Sequence, residues 1–325
     1  MAHTLAELLE LLTLDRVDDD NFVGHSPGEH AFTRVFGGQL FAQMLIAANA
    51  TVGDDRDVHS MHAYFLRPGD QRTPIEFEVG RGLDGRAFSN RTVIARQAGK
   101  QICNFAASFA TPGEGPEFQE WQPTVPAPDV LPPAPDFDDQ YAEVMSYVAG
   151  TNAIEFRFEE GIAERDPSSP GRWQVWFRVK DELPDDQAIH SAMVAYASDI
   201  FLLETTLRPH SVGWLDDIDF ATIDYSMWFH RPISTRWLEL ALIRCSDGSR
   251  RPSFVVRRTL HSRPDRARID DAGGHDSVQA GTRGTSAPEG AGALATVYEL
   301  RLERSPRLAP VAEPDCTQRR DVDRR

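Results

Sequence analysis

The chain has 325 residues, 41% hydrophobic and 9% aromatic, enough for about two domains with buried cores. Its formal charge is −16, from 34 basic and 50 acidic side chains, so it offers no general basic surface to nucleic acid or to an anionic membrane. No run approaches the ~18 apolar residues of a membrane span, and Cys103, Cys245 and Cys316 lie far apart without a CxxC pair. A disulfide framework and a structural zinc are therefore not expected, and a reducing cytoplasm is.

Leu5, Leu8, Leu9 and Leu12 share one helical face; with Glu7 and Glu10 and no basic start, this segment reads as a docking helix rather than an export signal. Gly24-His25-Ser26-Pro27-Gly28 fits the string of a serine-hydrolase elbow. Pro27, however, has no N–H to give an oxyanion, and no strong strand precedes the motif. Phe36 to Ala48 places Leu40, Phe41, Met44, Leu45 and Ala48 at helical spacing and opens with Gly37-Gly38-Gln39. The free N–H groups and positive end of that helix suit an anionic oxygen, while its glycines equally suit close packing on a sheet; the two readings are compatible.

His59 and His62 fall near the end of a strand and His230 in another, and no nucleophile is paired with any of them. Ile75, Phe77 and Val79 alternate with Glu76 and Glu78, Asp84-Gly85 forms a turn, and 87–97 and 101–110 are further strands about Ala98-Gly99-Lys100. Residues 1–112 thus read as one helix followed by an antiparallel meander. Residues 113–138, with seven prolines among acidic residues, read as an extended linker.

The pattern returns in 139–262: Trp173, Val175, Phe177 and Val179 alternate as a strand, 188–207 reads as a buried helix, and 219–230 and 236–243 as strands. Phe65-Leu66-Arg67-Pro68 closes a strand in the first half and Phe229-His230-Arg231-Pro232 closes one in the second, which points to a duplicated unit. Asp199 interrupts an apolar stretch, where a carboxylate is costly unless it is hydrogen-bonded or used. Thr222 offers a hydroxyl on a following strand, although threonine is also an ordinary strand residue. No H-E-x-x-H, P-loop or G-x-G-x-x-G between strand and helix is present, so no metal and no cofactor are expected.

Four blocks then stand in order: Arg34-Val35-Phe36-Gly37-Gly38-Gln39, Val58 through Asp70, Tyr196-Ala197-Ser198-Asp199, and Ala221 through Pro232. Over residues 5 to about 262 the chain resembles the acyl-CoA thioesterase II family. The resemblance implies an α+β double hotdog, two tandem units each with an antiparallel sheet wrapped around a central helix, and homo-oligomers. It also implies hydrolysis of fatty acyl-CoA by a water held between an Asp on the second-half helix, a Thr on the next strand and a Gln near the C-terminus. Asp199 and Thr222 match the first two. Gly37, Gly38 and Gln39 are candidates for oxyanion or substrate binding, and Arg67, Arg231 and His59 for contacts to the substrate, coenzyme A being anionic.

The third position does not match. The family's closing strand carries Gln-Glu-Gly, whereas Arg263-Pro264-Asp265-Arg266 opens a region, 263–325, that reads as divergent and partly disordered, and residues 261–290 have the composition of a solvated tail. Gln279 is the one nearby glutamine and reads either as the third water contact after a shifted loop or as a tail residue; 293–302 alternates well enough to offer a substitute strand. Two competing functions follow: a catalytically impaired acyl-CoA binder, and, less favoured, a hotdog hydratase acting on enoyl-CoA.

Overall fold

The structure is a computed structural model and describes residues 4–26, 34–113, 126–131, 153–158, 172–200, 222–230, 232–233, 238–243, 253–254, 297–298 and 300–301. Arg231, Gln279 and 201–221 lie outside these residues.

Thr4 and Glu7 form a reciprocal capping box that starts α1 (Leu5–Leu12), whose Leu8, Leu11 and Leu12 are buried while Leu5 and Leu9 pack partly covered against the core. β1 (Asp15–Arg16) and β2 (Asn21–Gly24) form a short hairpin before α2 (Gly37–Asn49). Along α2 only Gly37, Ile46 and Asn49 are not fully buried, so this is a helix enclosed on all sides rather than one laid on a surface. β3 (Asp57–Phe65), β4 (Ile75–Asp84), β5 (Phe88–Gln97) and β6 (Lys100–Ala110) follow; β4, β5 and β6 form the expected meander, whereas β3 lies beyond it, paired with β6 rather than β4. Ala98 and Gly99, both at positive φ (47° and 72°), make the two-residue turn between β5 and β6, where Gln97 pairs with Lys100.

In the second half β7 (Ile154–Phe158) pairs with β8 (Arg172–Val179), and β8 with β10 (Leu238–Ile243). β7 carries a clean alternation, with Ile154, Phe156 and Phe158 buried, that escaped the sequence reading. Its Glu155 takes Arg178 Nη2 at 2.6 Å and also pairs with Arg157; burial opposes its charge, but the two guanidiniums outweigh that and hold its carboxyl below the usual range. Arg157 also donates to Leu131 O at 3.1 Å and Trp176 Nε1 to Pro126 O at 3.0 Å, so the described part of the proline-rich stretch is fastened across this sheet.

α3 (Gln187–Ser198), N-capped by Asp186, packs against α2, and β9 (Asp224–Trp228) pairs antiparallel with β3. The helix expected over 188–207 thus stops at Ser198, with Asp199 as its C-cap. Strand order β1-β2-β4-β5-β6-β3-β9-β12 carries one sheet across both halves, where β12 is Val297–Tyr298; β11 (Ser253–Phe254) pairs with β13 (Leu300–Arg301). Val297 and Tyr298, within the 293–302 stretch expected to offer a substitute strand, therefore do enter the sheet.

The seam supports duplication independently of the repeated tetrapeptides. His62 stands three residues before Phe65, as Ser226 stands three before Phe229, and His62 and Ser226 face each other in the β3–β9 register. Equivalent positions meeting on an antiparallel pair are what a local two-fold axis through that pair produces.

One buried cluster spans both halves from Leu8 to Ile233. At its edge Arg91, 2% exposed, satisfies all five N–H donors. Nε and one Nη2 bond reach Thr51 at 2.8 Å, the other Nη2 bond reaches Asp84 at 2.7 Å, and Nη1 reaches the carbonyls of Leu83 and Asn90. Arg91→Met keeps the length and strands those acceptors, so it is expected to lower stability by about 3 kcal/mol. A denaturant midpoint equal to that of the parent would show that the network carries no such weight. Among the described residues no helix is long and apolar enough to cross a membrane.

Candidate functional site

Gly37 begins α2, Asp199 ends α3, and the two meet. A Cβ on Gly37 would stand 2.5 Å from Asp199 Oδ2, and one on Gly38 would stand 2.4 Å from the carbonyl oxygen of Tyr196, so a side chain at either position blocks the approach of the last turn of α3. Phe36 and Tyr196 close the contact from one side, ring edge to ring face, with centroids 5.3 Å apart. The close packing expected of these glycines is therefore against a helix as well as beneath a sheet.

The charges suit this contact. Asp199 sits at the C-terminal end of α3, where the helix dipole disfavours an anion, but its carboxylate reaches the start of α2, where the dipole favours one. Phe36 supplies no side-chain cap, and the first bond inside α2 runs from Leu40 N–H to Phe36 O at 3.1 Å. The N–H groups of Gly37, Gly38 and Gln39 thus stand ahead of the helical ladder, and the carboxylate lies beside the first of these residues.

Thr222 is half-buried and lies two residues before β9. Its neighbour Ile223 accepts from Phe65 N–H at 2.9 Å, and Phe65 Cζ lies 3.2 Å from the position of a Gly37 Cβ. Asp199, the Thr222 segment, Phe65 and the start of α2 therefore converge on one corner. Phe65 stands in the sequence as part of a repeated tetrapeptide and of the Val58-to-Asp70 block; its role as a wall depends on a contact between distant segments.

The other candidates are dispersed. The Gln39 side chain is turned away, its Nε2 donating to Ser26 Oγ at 2.9 Å and to Gln43 Oε1 at 3.3 Å, so only its backbone faces the corner. Gln43 in turn donates to Leu11 O and His25 O, which makes these two buried glutamines a structural tie between α1, β2 and α2. A strand, β2, does precede the Ser26 motif, but the Ser26 hydroxyl is engaged by Gln39.

Arg67 is exposed just beyond Phe65, with Nη1 donating to Gln101 O at 2.7 Å. His59 lies six residues back along β3, about 20 Å at ordinary strand rise. Its Nε2 is 2.8 Å from Ser108 Oγ, and burial pushes its pKa down, so it favours the neutral form. His62 pairs with Asp224 at 2.5 Å across the seam. Cys103 is buried, which pushes its thiol far above the usual range and leaves it inert. Among the described residues no His, Cys, Asp and Glu cluster could hold a metal. Two shallow depressions, of about 340 Å³ beside β2 and β4 and about 290 Å³ on the outer face of β3, β5 and β6, do not include Asp199.

With this geometry in place, likeness to known proteins is informative. The family described as acyl-CoA thioesterase matches residues 150–251, and that described as acyl-CoA thioesterase N-terminal domain matches residues 26–110. Acyl-CoA thioesterase 2 of Haemophilus influenzae is 37% identical over 262 residues, covering 76% of this chain and 88% of that protein. Among solved structures, an acyl-CoA thioesterase II, TesB2, from Mycobacterium marinum is 28% identical, with a TM-score of 0.67 over 91% of this chain and 98% of its own. A hot dog fold protein of unknown function from Alicyclobacillus acidocaldarius, 18% identical, overlays 93% of this chain and 98% of its own with a TM-score of 0.66 and speaks for the fold alone. The fold is that of tandem hotdog units.

Proposed function

The chain belongs to the acyl-CoA thioesterase family, and from that premise we propose that it hydrolyses fatty acyl-CoA by direct attack of a water held by Asp199 and Thr222. Hydrolysis of an acyl-CoA thioester is the family's reaction and this chain's. The observation that carries this proposal is the approach of Asp199 Oδ2 to the first residue of α2.

In this mechanism Asp199 takes a proton from the water, and the oxygen forms a bond to the thioester carbonyl carbon. The carbonyl oxygen gains the charge and is received by N–H groups of Gly37, Gly38 and Gln39, which are already oriented and need no rearrangement. The C–S bond then breaks, Asp199 returns its proton to the departing sulfur, and free acid and CoA thiol leave. Thr222 fixes the water's second hydrogen-bonding direction. No acyl-enzyme forms. Gln279 is the candidate for a third contact to the water, and Arg67, Arg231 and His59 for contacts to the CoA moiety.

We place the protein in the cytoplasm as a homo-oligomer. Support comes from its unpaired, buried Cys103 and from Tyr64 and Phe88, 48% and 50% exposed on the sheet's outer face. The units are assigned as 1–112 and 139–262, joined by 113–138 and followed by a divergent 263–325.

The test is release of free thiol from acyl-CoAs of several chain lengths, with enoyl-CoA in parallel. Stoichiometric thiol and acid are expected, with the enoyl double bond retained. Binding without thiol release would favour the impaired binder, and loss of the double bond would favour a hydratase. Thr222→Val keeps the shape and removes the hydroxyl, and is expected to lower kcat by about 10²-fold with KM little changed, if one preorganised contact to the reacting atoms is lost. A kcat equal to the parent's removes Thr222 from the water site.

A further inference from the structure

The end of α3 and the strand that follows Thr222 are joined by a buried pair of hydroxyls. Ser198, the residue before Asp199, hydrogen-bonds through Oγ with Tyr225 OH, three residues after Thr222. The same Oγ donates to Ala195 O at 2.9 Å. A serine has one proton to give, so with that proton on the Ala195 carbonyl the phenol is the donor to Ser198. Both Ser198 and Tyr225 are 0% exposed, and no bulk water competes for either hydroxyl.

Each end of this link is held in place. Tyr225 pairs with Ala63 in the β3–β9 ladder, and its ring lies on Phe41 of α2 with centroids 4.0 Å apart. Phe41 in turn meets Phe65, at 4.9 Å, on the wall of the catalytic corner. The Ser198 bond to Ala195 O ties up a carbonyl in the last turn of α3, where the helical ladder has run out. A chain of two hydrogen bonds thus runs from the sheet, through the phenol, into the turn that presents Asp199.

Resting on the assignment of Asp199 and Thr222 to the water, the geometry points to Tyr225 as a positioning residue of the hydrolysis, acting through Ser198 to set the spacing between Asp199 and Thr222. Tyr225 touches no reacting atom. Its hydroxyl couples the strand segment bearing one water contact to the helix end bearing the other. The benefit is to orientation, and small misplacements of a reacting group can cost about 10²-fold in rate.

The experiment compares Tyr225→Phe, Ser198→Ala, their double variant and each in an Asp199→Asn background, all in the full chain. It measures kcat, KM for a fatty acyl-CoA and thermal midpoint. Tyr225→Phe keeps the ring on Phe41 and removes only the donor. Its kcat is expected to fall by about 10- to 100-fold with KM nearly unchanged. The double variant should lose no more than the worse single variant, since both remove one link, and in the Asp199→Asn background neither should lower the residual rate further.

A parent-like kcat in Tyr225→Phe beside an inactive Asp199→Asn overturns the positioning role and leaves the water assignment standing. Full turnover in Asp199→Asn overturns the water assignment itself. Multiplying losses in the double variant show that the two hydroxyls act separately and also overturn the proposal. So does a fall in kcat that merely tracks the unfolded fraction in both single variants.

Discussion

Asp199→Asn is expected to reduce acyl-CoA turnover by about 10³-fold while leaving acyl-CoA binding and the fold in place. The magnitude follows from the proposed role: a general base positioned on an attacking water contributes about 10²- to 10⁴-fold, and an amide of the same shape cannot accept the proton. Stability should change little. The carboxylate opposes the dipole of α3 and agrees with that of α2, effects of up to about 1 kcal/mol each and of opposite sign. Thiol release under saturating substrate reports the rate, and a binding isotherm with a slowly hydrolysed analogue reports the complex. Parent-like kcat would remove Asp199 from the chemistry. Loss of binding and kcat together, with a lowered thermal midpoint, would mark Asp199 as a structural contact between two helix ends.

Much of this arrangement is legible in the sequence, and the boundary of what is legible has a physical cause. Period-two alternation located β4 and β8, the turn at Ala98-Gly99 located β5 and β6, and helical spacing of apolar residues located α2. The repeated Phe-x-Arg-Pro ends located the two equivalent strands, and the register of His62 against Ser226 explains why they echo. Periodicity reports how an element faces its surroundings, not which element it faces. Gly37 and Gly38 were therefore readable as a place of close approach, but the partner, the last turn of α3, was not.

The end of α3 was misplaced for a related reason. Ile200, Phe201 and Leu203 continue the apolar pattern beyond Ser198, and neither glycine nor proline marks a stop. The helix ends where the Ser198–Tyr225 bond and the encounter with α2 take over, both of them contacts between distant segments. Asp199 drew attention as a polar residue in an apolar run, and that signal holds at a helix end as well as inside one. Tyr225 gave no such signal, because an aromatic residue in a strand is ordinary and only its hydroxyl partner makes it unusual.

Gly38→Ala is expected to damage both the fold and the rate. In an isolated helix the change would gain about 1 kcal/mol, since alanine is the better helix former. Here the added methyl would meet Tyr196 O at 2.4 Å and the Phe36 ring at 2.5 and 2.8 Å. A ring can turn, but a backbone carbonyl in the last turn of α3 moves only if the helix end moves with it. Overpacking of this kind costs about 1–3 kcal/mol and should outweigh the helical gain, leaving a net loss of about 1 kcal/mol. The larger effect falls on catalysis, because pushing α3 from α2 carries Asp199 away from the N–H groups proposed to receive the oxyanion, and kcat should fall by about 10- to 100-fold. Gly82→Ala supplies the control: its methyl would meet Asn90 O at 3.7 Å, an ordinary contact, so parent-like kinetics are expected there. If Gly38→Ala turned over as fast as Gly82→Ala, the close approach of α3 to α2 would not be what sets the geometry of the water, and Asp199 would have to reach its substrate from a corner that tolerates displacement.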